Sequence, residues 1–141
     1  MKNSKKCDFI VKYDKNNIIN LEINCKSYAG ILVKSLSYAF NLFSRYALKG
    51  EIYGENLTVT SININYFGNE TKTLSKYHIK EEENNEIYSN NIIFYTLNIV
   101  KCHDLYYNKK EKEVPKHVKW GAFLTCNNIE DIPIIIKELL T

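Results

Sequence analysis

The longest periodic stretch of the chain lies at residues 27–49, and it constrains what the rest can form. Tyr28, Ile31, Leu32, Ser35, Leu36, Ala39, Leu42, Phe43, Tyr46 and Ala47 recur at the spacing of one helix face. Only the small Ser35 interrupts this apolar stripe. Ser27 stands where an N-cap would satisfy the first free N–H groups, and Gly50 where a left-handed residue would close the helix. Gly30 weakens the first turn. A helix with one apolar stripe must bury it against another layer, and the flanking segments read as strands.

Residues 8–13 (Asp-Phe-Ile-Val-Lys-Tyr) are rich in β-branched and aromatic types, and 18–24 (Ile-Ile-Asn-Leu-Glu-Ile-Asn) read as the returning strand. Asp14-Lys15-Asn16-Asn17 is the turn between them. A long strand follows at 57–67, closed by Gly68-Asn69, with two more near 74–82 and 92–99 around a polar turn at 81–85. The charged, unpatterned stretch 100–114 reads as a loop or a frayed helix. Pro115 suits the start of a helix over 116–125, with Trp120, Phe123 and Leu124 at compatible spacing. A last helix at 132–140 would bury Ile132, Ile135, Ile136 and Leu139. The pattern predicts one α/β domain over 1–141: a mixed sheet, the long helix on one face, and short C-terminal helices around it.

Composition narrows the function classes. With 45% hydrophobic and 25% charged residues the chain is globular, and a net charge of +3 permits DNA contact without being that of a nucleic-acid coater. No apolar run reaches the ~18–20 residues of a membrane span, and no apolar h-region follows the charged N-terminus. A cytoplasmic location and reduced thiols at Cys7, Cys25, Cys102 and Cys126 are expected. Cys102, His103, His117 and Cys126 match no usual zinc-ligand spacing, and none of the three histidines has a nucleophile or carboxylate at motif spacing.

The chemistry-bearing feature is the first hairpin. Side chains alternate faces along a strand, so Glu22 and Asn24 share one face, and Asp8 and Lys12 share one face of the preceding strand. An odd-numbered loop sets Asp8 opposite Glu22, pointing the same way; an even loop sends the two carboxylates to opposite faces. Converging carboxylates suit a hard divalent cation such as Mg²⁺ or Mn²⁺, which can polarise a phosphoryl oxygen and activate water. Acidic residues on a short hairpin commonly do no more than face solvent, so the hairpin alone leaves both readings open.

The order of further motifs resembles a known family. The segment Asp8 to Asn24 is similar to the "D-(x)n-E-x-Q" hairpin of Rpn-type recombination-promoting nucleases, the PD-(D/E)XK nuclease family transposases. Lys34-Ser35-Leu36-Ser37-Tyr38 resembles their "R-S-x-Y-Y" helix, and Leu48-Lys49-Gly50-Glu51-Ile52-Tyr53 their "L-K-x-G-x-x-Y" segment. Val59-Thr60-Ser61-Ile62-Asn63-Ile64 resembles their "V-I-S-I-N-I" strand. Lys119-Trp120-Gly121-Ala122-Phe123-Leu124 and Glu130-Asp131-Ile132-Pro133 are similar to motifs near their C-terminus.

The resemblance covers nearly the whole chain. It implies a restriction-endonuclease-like fold and metal-dependent DNA cleavage linked to recombination or phage defence. Asp8 and Glu22 match the metal-binding acids, Asn24 the Gln, and Lys34 the helix arginine. Asn24 keeps the amide but is one methylene shorter. Members usually carry a further N-terminal segment, so a shortened core is expected, with a sheet edge that a second copy or a longer homologue would cover. A truncated relative that binds DNA or a partner without cutting is the alternative.

Two further groups bear on DNA. Lys34, Tyr38, Asn41 and Arg45 form a polar stripe on the long helix which, with Lys12, would contact phosphate; an ordinary solvated helix face has the same pattern. Tyr106-Tyr107 beside Lys109-Lys110 resemble a base-stacking pair, but half-buried packing is the favoured reading.

Overall fold

The structure is a computed structural model that describes residues 9–49, 52–53, 56–68, 72–109 and 113–140. Of the positions singled out above, Cys7, Asp8, Gly50, Glu51, Asn69 and 110–112 lie outside the described residues.

The chain opens with β1 (Phe9–Lys12) and β2 (Asn17–Asn24), paired antiparallel. The turn between them is built by Asp14, whose carboxylate accepts from the Asn16 and Asn17 N–H groups at 2.7 and 2.9 Å and from the Asn17 amide. The Asn16 N–H and then the Asn17 side chain hold that carboxyl below its ordinary value. This turn settles the parity that the sequence left open. Lys12 pairs with Ile18, leaving the odd stretch 13–17 between them, so Ile10 and Lys12 share a face with Asn20 and Glu22.

Helix α1 spans Ile31–Ala47, shorter at both ends than the predicted 27–49. At its start Gly30 and Tyr28 form a turn in which the Ile31 N–H meets the Tyr28 carbonyl at 3.1 Å, so Ser27 lies too far upstream to cap it. At its end Leu48–Lys49 (β3) leaves the helix to pair with Ile52–Tyr53 (β4).

Strands β5 (Thr58–Asn65), β6 (Leu74–Lys80) and β7 (Ile87–Asn98) complete a five-stranded mixed sheet of order β1-β2-β5-β7-β6. β2, β5 and β7 run parallel at its centre, and antiparallel β1 and β6 form its edges. The β6–β7 turn falls where the acidic run predicted one, with Asn85 in the left-handed region and the Glu81 carboxylate accepting from the Glu83 and Asn84 N–H groups.

Of the two readings of 100–114, the helix holds at its start: α2 spans Ile99–Tyr107, capped by the Asn98 side chain on the Lys101 N–H at 3.1 Å. Its buried face is Ile99, Cys102 and Tyr106, a stripe too sparse to stand out among the charges. α3 (Lys116–Leu124) starts after Pro115 as expected, but it buries Val118, Gly121 and Ala122, while Trp120 is 49% exposed. α4 (Ile132–Leu140) buries Ile135 and Leu139 and leaves Ile136 39% exposed.

Because strand residues alternate faces, the sheet has two coats. Ile18 and Val59 pack with Leu42 and Ala47 of α1 on one side. Ile64 and Leu97 pack with α2, α3 and α4 on the other. This is the α/β arrangement that the sequence predicted.

Candidate active site under helix α1

The face of the sheet beneath α1 is apolar at one end and polar at the other. On β2 the residues turned to this face are Ile18, Asn20, Glu22 and Asn24. On β5 they are Val59, Ser61, Asn63 and Asn65. The parallel register sets Asn20 beside Ser61, Glu22 beside Asn63 and Asn24 beside Asn65, and β7 adds Thr96 beside Asn63. A polar seam therefore runs to the carboxyl ends of three parallel strands, the position at which open α/β sheets bind ligands.

The seam is buried. Glu22 is 1% exposed, and Asn20 and Ser61 are fully covered. Burying a carboxylate and several amides is unfavourable unless each is well partnered, and an apolar residue such as the neighbouring Val59 would cost nothing of the kind. The partners here are specific. Lys34 Nζ of α1 lies 3.8 Å from Glu22 Oε2. The Asn63 amide donates to Ser35 Oγ of α1 at 3.0 Å. Asn24 Nδ2 donates to Asn65 Oδ1 at 3.0 Å and to Asn63 Oδ1 at 3.4 Å. Ser35, the one interruption of the apolar stripe, is thus where α1 bonds to the seam.

The Asn20 amide differs from these: neither its oxygen nor its nitrogen has a partner among the described residues. Such an orphan costs about 1–3 kcal/mol. Asn20→Leu, of similar shape, is therefore expected to raise the urea midpoint of unfolding by an amount worth about 1–3 kcal/mol, with the slope unchanged. A lowered midpoint would mean that the amide does hold a partner.

Among the residues singled out from sequence, Glu22, Asn24 and Lys34 come together here, while Asp8 lies outside the described residues. Lys12 and Arg45 do not join them. Lys12 pairs with Ile18, about 13 Å along the strand from Glu22, and its ammonium sits over the Tyr46 ring at 5.7 Å. Arg45 is about 16 Å from Lys34 along α1 and donates to Asn41 Oδ1 at 3.3 Å. Tyr38 of the same stripe lies beneath the Lys34 ammonium, at 5.7 Å.

Sequence reading gave Asn20, Ser61, Asn63, Asn65 and Thr96 no role in the site, although Ser61 and Asn63 stand in the family-like strand. Their signal was present as strict alternation in Asn20-Leu21-Glu22-Ile23-Asn24 and Ser61-Ile62-Asn63-Ile64-Asn65. Alternation of this kind ordinarily marks a solvated strand face; here α1 covers it.

The other candidates lie elsewhere. Tyr106 is buried among α2–α4, and Tyr107 Oη donates to Asp131 at 3.1 Å, so this pair packs. His117 pairs with Thr73 Oγ1 at 2.6 Å and is held below its ordinary pKa by burial, while His103 pairs with Thr125 at 2.9 Å. Burial pushes the Cys102 thiol up to about 11. Among the described residues no three His, Cys, Asp or Glu side chains converge on one point.

The family model of the PD-(D/E)XK nuclease family transposases matches residues 2–135. The chain belongs to that family. No curated protein and no solved structure matches it. Membership of the PD-(D/E)XK family carries a nuclease- or transposase-type function, DNA as the implied substrate, and a class that generally uses divalent metal ions. Among the described residues no helix is long and apolar enough to cross a membrane.

Proposed function

We propose that the chain is a divalent-metal-dependent DNA endonuclease of the recombination or phage-defence type, with its reaction centre at Glu22. The observation that carries this reading is the burial of Glu22 in a polar seam under α1, 3.8 Å from Lys34, in a PD-(D/E)XK family member.

The donor set fits a hard cation. The Glu22 carboxylate and the orphaned Asn20 amide offer oxygen, the ligand type Mg²⁺ and Mn²⁺ prefer. The second acid in this proposal is Asp8. It matches the first metal-binding acid of the family's hairpin, as Glu22 matches the second. A cation held there supplies Lewis-acid stabilisation of the phosphoryl group and a nucleophile at neutral pH.

The chain's own groups do the rest. Lys34 binds the phosphate and offsets charge that develops in the transition state. Asn24, whose Nδ2 is engaged, keeps Oδ1 to accept from the attacking water and aim it at phosphorus. α1 covers the seam and excludes other water.

One observation favours a second reading. The Asn24 amide is bonded to both Asn63 and Asn65, and an amide that ties strands together is restricted in positioning water. On that reading the chain binds DNA or a partner without cutting it. Supercoiled plasmid incubated with the purified chain and Mg²⁺ or Mn²⁺ separates the two. The nuclease reading predicts nicked and then linear DNA, abolished by EDTA. Intact plasmid with every metal, alongside retained DNA binding, would establish the non-cutting reading.

A further inference from the structure

We infer that the groove beside the seam is a pocket for one unpaired nucleobase, so that the substrate is single-stranded or locally opened DNA and not intact duplex; this rests on the nuclease reading above. The groove has a volume of about 500 Å³, in the range of small-molecule sites. Its walls are Leu32 and Leu36 of α1 on one side and the cross-strand pair Tyr77 and Phe94 on the other. Leu32 is 72% exposed and Tyr77 49%, so large apolar side chains border the groove without closing it.

The floor is polar. Asn65 lies there with its Oδ1 accepting from Asn24, which leaves its NH₂ as a donor without a partner among the described residues. Thr96 Oγ1 is buried and likewise without a partner among the described residues. A lipid chain or an apolar peptide side chain would leave these groups unsatisfied. A planar heteroaromatic ring matches both parts: its faces suit the aromatic and aliphatic walls, and its edge carries donors and acceptors for the floor.

Charge complementarity fixes the occupant. Asn63 lines the groove and is the register partner of Glu22, one strand spacing away, about 4.8 Å. Ser35 also lines it, and its neighbour Lys34 places its ammonium 3.8 Å from Glu22. A phosphate drawn to Lys34 therefore has its own base within reach of the groove. A base stacked in a duplex cannot enter.

The test is anisotropy of labelled oligonucleotides with the full chain, in Ca²⁺ to allow binding while limiting cleavage. Three DNAs are compared: a single strand, the same strand with central abasic sites, and a perfect duplex. The pocket predicts that the base-bearing strand binds about 5- to 100-fold more tightly than the abasic one. Tyr77→Ala should bring it down to the abasic level, Phe94→Leu should act in the same direction, and Tyr77→Phe should keep the discrimination. Tyr77 is half exposed, so its variants test the site without risk to the core.

Equal binding of base-bearing and abasic strands by the wild type would overturn the pocket while leaving the nuclease reading intact. Unchanged discrimination in Tyr77→Ala would also overturn it. Failure to bind any of the three DNAs would remove both proposals.

Discussion

Glu22→Gln is expected to lower metal-dependent plasmid nicking at least about a hundredfold while the chain stays folded. The size follows from the role: disturbing even the groups that orient a metal's ligands typically costs about 10–100-fold, and losing the charge of a ligand costs more. Survival of the fold follows from the geometry. Gln keeps the shape of Glu and can still hydrogen-bond within the seam. Lys34, 3.8 Å away with a side chain 30% exposed, can turn its ammonium to water. The melting temperature should therefore stay within a few degrees of wild type. A variant that melts normally and nicks at the wild-type rate would remove Glu22 from the mechanism.

The second large effect is on the opposite face of the sheet. Gly121→Ala is expected to destabilise the chain by about 1–3 kcal/mol or more, the cost of overpacking a close-packed interior. Gly121 sits in α3 against α2, where an added Cβ would run into the Cβ of Cys102 and lie 2.8 Å from its Sγ. Neither helix can yield freely, because Ile99, Cys102, Val118 and Ala122 are all buried in the same cluster. The substitution must push α2 and α3 apart. In a Cys102→Gly background the same change should cost less, because the colliding atoms are gone. Chemical denaturation of the four chains measures this. Additive effects would show that the helices do not meet at this glycine. Cleavage at a temperature where Gly121→Ala remains folded should be near wild type, since the seam lies under α1.

How much of this was legible in the sequence depends on which physical signal each element carried. The hairpin, α1, the central strands and the last two helices were legible because their apolar residues repeat with a clear period. The hairpin's parity was not, since an odd or an even loop fits the same residues until the Asp14 turn pairs Lys12 with Ile18. α2 was left open between a loop and a frayed helix because its small buried stripe sits in a segment dominated by charge. Trp120 was grouped with Phe123 and Leu124 by helical spacing; α3 instead buries Val118, Gly121 and Ala122, with Gly121 set against Cys102 of α2.

The candidate site was legible only in part. Glu22, Asn24 and Lys34 were found, but a strand alternating polar and apolar residues gives no sign that a helix will cover its polar side. The apolar stripe of α1 misled in the complementary way. Leu32 and Leu36 belong to it by spacing, yet beneath them lies the groove over Asn63, Asn65 and Thr96, and both stay exposed. Lys12 and Arg45 failed as neighbours of the site for a simpler reason: a face shared along a strand or helix says nothing of distance.

If Glu22 is buried in order to hold a divalent cation, the binding can be measured without any substrate. Mn²⁺ titrated into the purified chain and followed by loss of the free-ion EPR signal is predicted to bind at about one ion per chain in the wild type and to lose that binding in Glu22→Gln. Equal uptake by the two chains, or none by the wild type at millimolar Mn²⁺, would contradict it.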